Sequence, residues 1–304
     1  MSIKKNLYVI LPVIVFIAAI CFYYFRPARL DESWIDDFNY SENEIAALSF
    51  DWTECPIITI KIDGNDLPII FDTGCNSGLA LTNLVEEKVD YSQLGQTEQL
   101  NRDGSHRGWS KEVLLNNISV FGQTYSNVIT DISDYEMFSN VKFNGLIGLT
   151  YFDSKIVTLD YASRKIAVSD QKIDYDKLDL RKYIVLPLLK STQAGHEKLL
   201  FFEAYLNQNP VIVYLDTGKN KSFIYDRNSN YSPSVKKPSS EKTDAVLQLD
   251  TMSIELKGLW NAKIAQVDDF SYPIGLELNS DIIKKYKLLF TLDLIEQKII
   301  FKRL

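Results

Sequence analysis

The chain repeats itself, and that repetition limits its possible folds more than any other feature. Asp72-Thr73-Gly74 closes the apolar run Ile69-Ile70-Phe71, and Asp216-Thr217-Gly218 closes the run PVIVYL at 210–215. A given triplet falls at roughly one position in eight thousand by chance, counting twenty residue types, so two copies that each end a strand pattern point to duplication. The flanks agree. ITIKI, DGND and PIIF precede the first triplet, while FFEAY, LNQN and PVIVYL precede the second. Each reads as strand, turn, strand, Asp. Downstream, KIVTLDYASRKIAV (155–168) aligns without a gap on LLFTLDLIEQKIIF (288–301). An apolar pair before glycine precedes each of these, Leu146-Ile147-Gly148 and, more loosely, Pro273-Ile274-Gly275. The copies span about 56–168 and 184–301, which predicts two lobes, 56–175 and 176–304.

Short apolar runs of Val, Ile, Thr, Tyr and Phe predict a mainly β fold. The string RNSNYSPSVKKPSSEKTD, 227–244, has almost no large apolar residue and is expected to be a long loop. Residues 7–25, LYVILPVIVFIAAICFYYF, carry no charge and are long enough for a membrane-spanning helix of roughly 20 residues. Their length and the lack of a small-x-small site favour an uncleaved anchor, 1–29, over a signal peptide. A membrane-proximal segment, 30–55, then leads into the first lobe. Lys4 and Lys5 put the amino terminus in the cytoplasm, so the body is expected outside it, periplasmic or extracellular, as in a bacterial envelope. The whole chain carries −7, and because residues 1–29 contain four basic residues and no acids, residues 30–304 carry −7 − 4 = −11. An acidic body disfavours nucleic acid as a partner. HExxH, CxxC, GxSxG and Gly-rich phosphate-loop patterns do not occur, which weakens zinc-hydrolase, redox, serine-hydrolase and nucleotide readings.

Two carboxyls brought within a hydrogen bond of each other cannot both ionise easily, so they share a proton. Such a pair can hold a water: the ionised member takes its proton and the protonated member donates to a substrate carbonyl. Amide hydrolysis then needs neither a metal nor a covalent intermediate. It does need two loops meeting across an approximate two-fold axis, and a duplicated unit supplies them.

At this point the chain resembles the aspartic proteinases of the retroviral and pepsin type. PIITIKIDGNDLPIIFDTG, 56–74, fits the retroviral Pro-x-x-Thr-Ile-Lys-Ile-x-Gly…Asp-Thr-Gly run without a gap. The resemblance covers nearly all of 56–168 and, more weakly, 184–301. It implies a two-lobed retropepsin/pepsin-like acid protease fold behind the amino-terminal transmembrane helix, with the cleft between the lobes. Asp72 and Asp216 would be the catalytic dyad, braced by Thr73 and Thr217, with Gly74 and Gly218 shaping the loops. Leu146-Ile147-Gly148 would pack behind the first loop. A hairpin over 100–113 is the flap candidate, with Gly104, Ser105, Gly108 and Trp109 near its tip. The second lobe shows no comparable hairpin, and the loop 227–244 is a possible substitute. The implied partner is an extended peptide paired as an added strand. No cofactor, metal or obligate dimer is implied.

The residue after Asp-Thr-Gly is usually small in that family, but here it is Cys75 in one lobe and Lys219 in the other. Lys219 either reaches the dyad or carries its charge on its flexible stem to solvent or to an acidic substrate side chain, and the second is preferred. With the first hairpin turn centred near 64–65, Cys55 falls opposite 74–75. Cys55 and Cys75 are then either disulfide-bonded or two free thiols. An aspartic endopeptidase is the leading expectation. The alternatives are an inactive two-lobed peptide- or protein-binding module, and a proteinase restricted to one envelope substrate.

Overall fold

The computed structural model describes residues 30–303 except 51–52, 77, 101–105, 135–142, 195, 226–241 and 263–268. The predicted anchor at 7–25 lies outside the described residues, as does most of the predicted loop 227–244. Among the described residues no helix is long and apolar enough to cross a membrane. The described residues 30–37 belong to a separate unit and contain the short helix Trp34–Asp37. Phe38–Leu304 form one compact, mainly β unit.

The first lobe runs through β1 (Ile45–Ala47), β2 (Ile57–Ile62), β3 (Asn65–Phe71), β4 (Leu79–Thr82) and β5 (Tyr91–Leu100). It continues through β6 (His106–Val120), β7 (Gln123–Ser133), β8 (Gly145–Ile147), β9 (Ile156–Asp160) and β10 (Lys165–Ser169). The second comprises β11 (Tyr183–Pro187), β12 (Leu200–Leu206), β13 (Asn209–Asp216), β14 (Phe223–Tyr225) and β15 (Lys242–Leu249). After these come β16 (Met252–Ala262), β17 (Ile274–Asn279), the helix Ser280–Lys285, β18 (Leu289–Asp293) and β19 (Lys298–Lys302).

Local pattern explains the strands. In β2 the apolar Ile58, Ile60 and Ile62 are buried while Thr59 and Lys61 are exposed, the period of a half-buried strand. Asp63 (φ 47°) and Gly64 (φ 87°) form the two-residue turn into β3, a left-handed pair that suits Asp-Gly. The second lobe makes the same turn with Asn207 (φ 49°) and Gln208 (φ 66°), without a glycine. β12-β13-β17-β14-β16-β15 close into a barrel. The first lobe repeats that circuit as β2-β3-β8-β4-β7-β6, closed by β2–β6, with β5 added at the edge.

A third sheet, ordered β1-β10-β9-β18-β19-β11, joins the lobes. β9 and β18 pair antiparallel with Thr158 opposite Thr291, and the register is symmetric about that pair: Asp160 faces Leu289 and Ile156 faces Asp293. The two threonine hydroxyls lie 2.6 Å apart and are fully buried, so an approximate two-fold passes between them. Ile45–Ala47, placed by the sequence in the segment leading into the first lobe, is in fact an edge strand of this sheet, paired with β10.

Candidate active site

Each lobe threads one strand into its interior and ends it at an aspartate. β3 lies between β2 and β8, parallel to β8, and the Asp72 amide donates to the Ile147 carbonyl at 2.9 Å. β13 lies between β12 and β17, parallel to β17, and Asp216 pairs with Asn279. Apolar burial along both strands thus delivers two carboxyls to the interior, Asp72 8% and Asp216 2% exposed.

The loops interlock. Thr73 N donates to Thr217 Oγ1 (3.1 Å) and Thr217 N to Thr73 Oγ1 (3.0 Å). Each hydroxyl then donates across the axis, Thr73 Oγ1 to Leu215 O (2.9 Å) and Thr217 Oγ1 to Phe71 O (2.7 Å). All four bonds are buried, where an unmade bond would be costly. Gly74 N and Gly218 N donate to Oδ1 of their own lobe's aspartate, at 2.8 and 2.9 Å. A Cβ on Gly218 would lie 2.1 Å from Asp72 Cγ, and one on Gly74 would lie 2.5 Å from Asp216 Cγ. Each glycine therefore rests against the opposite aspartate, and nothing larger than hydrogen fits there.

Burial, followed by the neighbouring charge of Asp216, pushes the Asp72 carboxyl up to about 8. The arrangement can hold one proton between two carboxyls at neutral pH.

Strand register corrects the repeat alignment. Since Phe71 pairs with Ile147 and Leu215 with Leu278, Leu146-Ile147-Gly148 corresponds to Glu277-Leu278-Asn279, not to Pro273-Ile274-Gly275. Gly148 packs behind the first loop, where a Cβ would meet the Cys75 carbonyl at 2.0 Å. The apolar-pair-plus-glycine pattern had no reason to survive in the second lobe, where a polar network took its place.

That network draws the Lys219 ammonium onto two carboxylates while its side chain stays 42% exposed, so the charge reaches the Asp216 carboxyl, contrary to the preferred expectation that it goes to solvent or to an acidic substrate side chain. Its Nζ lies 2.9 Å from Asp216 Oδ2 and 2.8 Å from Glu277 Oε1. Burial pulls the ammonium down, but the charges of Asp216 and Glu277 outweigh it and leave Lys219 above the ordinary lysine range. Tyr214 donates to Asp216 Oδ2 at 3.2 Å, and Tyr225 to Glu277 Oε2 at 2.5 Å. Sequence reasoning missed Tyr214, Tyr225 and Glu277, because no local pattern links them to Lys219.

It also missed a pair that was legible. Asn76 Oδ1 accepts from Lys198 N (3.3 Å) and Asn220 Oδ1 from Glu54 N (3.1 Å), so each loop ties down the chain entering the opposite barrel, at β12 and at β2. The shared Asn in DTGCN and DTGKN was the available signal.

Cys55 and Cys75 are both buried, and no disulfide joins them. The turn centres on Asp63-Gly64, and the register Ile57↔Ile70 carries Cys55 opposite Asp72 instead of 74–75. Cys55 Sγ donates to Asn220 Oδ1 at 3.2 Å, and burial pushes its thiol up to about 12.

The flap candidate is a hairpin, β5 against β6, whose tip, including Gly104 and Ser105, lies outside the described residues. Gly108 (φ 146°) sits at a register shift beside it, and Trp109 is 41% exposed with its amide bonded to Asp134 Oδ1 at 2.6 Å. In the second lobe Lys242–Asp244, the end of the predicted loop, already belongs to β15. Among the described residues no cluster of His, Cys, Asp and Glu is arranged to hold a metal. No family model matches the chain, and no curated protein matches it.

Proposed function

We propose that the protein is an aspartic endopeptidase with a retropepsin/pepsin-like fold, in which Asp72 and Asp216 activate a water against an extended peptide. The observation that carries this is the interlocked pair of Asp-Thr-Gly loops, with each threonine bonded across the axis and each glycine pressed on the opposite aspartate. Such bracing matters for a general acid–base pair, because proton transfer depends on heavy-atom distances held within a few tenths of an ångström. A merely structural loop has no use for two buried carboxyls that raise each other's cost of ionisation. Residues 7–25 would tether the body to a membrane on its extracytoplasmic side. The second reading, a peptide-binding module without activity, draws on the ion pair between Lys219 and Asp216.

The test is cleavage of a peptide library by the full chain in detergent from acid to neutral pH, beside Asp72→Asn and Asp216→Asn. Each substitution should abolish cleavage. Cleavage that survives both would remove the dyad from the mechanism, and peptide binding without cleavage by the parent would favour the inactive module.

A further inference from the structure

The two-fold is broken at one place beside the dyad. Where the second lobe has Lys219 and Glu277, the first has Cys75 and, by strand register, Leu146. We propose that Lys219 is a positioning residue that makes the dyad asymmetric: it holds Asp216 as the ionised, proton-accepting member and leaves the shared proton on Asp72. This rests on the peptidase reading above and assigns the two aspartates different roles within it.

The contacts are one-sided. Asp216 receives Lys219 Nζ (2.9 Å) and the Tyr214 hydroxyl (3.2 Å) on Oδ2, and Gly218 N (2.9 Å) on Oδ1. Asp72 receives Gly74 N at 2.8 Å; Lys219 acts on it only through its charge, as the smallest of the influences on Asp72, and not through an ion pair. Donors aimed at a carboxylate favour its charged form, and a cation does so most strongly. The ammonium is held in place. Glu277 Oε1 binds it at 2.8 Å, Asn279 Nδ2 donates to the same oxygen at 3.0 Å, and Tyr225 occupies Oε2 at 2.5 Å. The Tyr214 ring lies 5.3 Å from Nζ. A lysine serving only solubility would not be fixed by two carboxylates.

Other titratable groups face the pair. Cys55, before β2, is pushed up to about 12 by burial. Tyr214 on β13, Tyr225 on β14 and Tyr161 in the turn after β9 are raised well above the ordinary tyrosine range, burial first. All four stay neutral in any working range, which leaves Lys219 and the carboxyls of Asp72, Asp216 and Glu277 to set the charge.

The roles follow. Asp216 takes a proton from water as the water oxygen bonds the carbonyl carbon. Asp72 gives its proton to the carbonyl oxygen. The proton on Asp216 then passes to the amide nitrogen as the C–N bond breaks. Asp72 recovers a proton from the diol, which becomes the acid product. One water is consumed and the dyad returns to its starting state.

The test uses the full chain and the variants Lys219→Met, Lys219→Arg, Glu277→Gln and Lys219→Met/Glu277→Gln, the last keeping a neutral pair where the single changes leave a lone charge. The acid limb of kcat/KM against pH is read with a cleaved peptide. Dyad carboxyl titration is read independently by carbon NMR, with signals assigned from Asp72→Asn and Asp216→Asn. Lys219→Met should move the acid limb and the first dyad titration up by about one to two pH units, from the effect of a close opposite charge. Arg should restore both, Glu277→Gln should move both down, and the double variant should fall between. No movement, or movement of both single variants in the same direction, would overturn the assignment. If the parent cleaves nothing, the peptidase reading fails on that result, and the carbon titration still decides where the proton sits.

Discussion

Asp72→Asn should stabilise the protein at neutral pH and leave it unchanged near pH 4. Burial and the Asp216 charge raise the folded-state carboxyl from 3.8 to about 8. The folded protein therefore binds a proton that the unfolded chain releases at pH values between those two. The contribution to stability is fully present below 3.8 and is lost as pH rises to about 8. At about 1.36 kcal/mol per unit, the loss by pH 7 is at most about 4 kcal/mol, and relaxation around the site brings it to the order of 2–4. Asparagine has nearly the shape of the protonated acid, can still accept from Gly74 N, and carries no charge to bury. Urea unfolding of parent and variant at pH 4.5, 6 and 7.5 is the assay. The gap between the two midpoints should widen steadily with pH. A gap constant across that range would refute the claim that Asp72 keeps its proton on folding.

Two further outcomes follow from the backbone. Gly218→Ala places a methyl 2.1 Å from Asp72 Cγ, so the loops must part; peptide cleavage should fall by at least about a hundredfold, measured as kcat/KM, while the far-UV spectrum stays that of a β protein. Gln208→Gly relieves a left-handed residue (φ 66°) in the second hairpin turn and should raise stability by about 1 kcal/mol, read as a higher urea midpoint with activity unchanged.

Much of the site was legible because its signals are local and repeated. Apolar runs ending in Asp-Thr-Gly predict buried strands that stop at a carboxylate, and β3 and β13 do so. The closing repeat predicts equivalent strands, and β9 and β18 pair at its shared threonines. What failed depended on register. An error of about one residue in the turn centre moved Cys55 from opposite Asp72 to opposite Gly74, next to Cys75, because each residue of shift in the turn moves its cross-strand partner by two. The counterpart of Leu146-Ile147-Gly148 was misplaced because Glu277 no longer resembles Leu146, and only parallel pairing with β13 identifies it.

By itself, then, the sequence determined that two copies of one β unit each carry a carboxylate at the end of a buried strand. Period-two burial and repetition are written along the chain and need no distant partner to be read. Tertiary structure decided which way the polar side chains turn. The Lys219 ammonium is drawn to the site because Glu277, 58 residues later, is brought beside it by the pairing of β13 and β17. The threonines interlock only because β9 and β18 bring the lobes together about Thr158 and Thr291. A flexible cation goes to whichever carboxylates the fold places within reach, and that placement is a property of strand register, which no single segment contains.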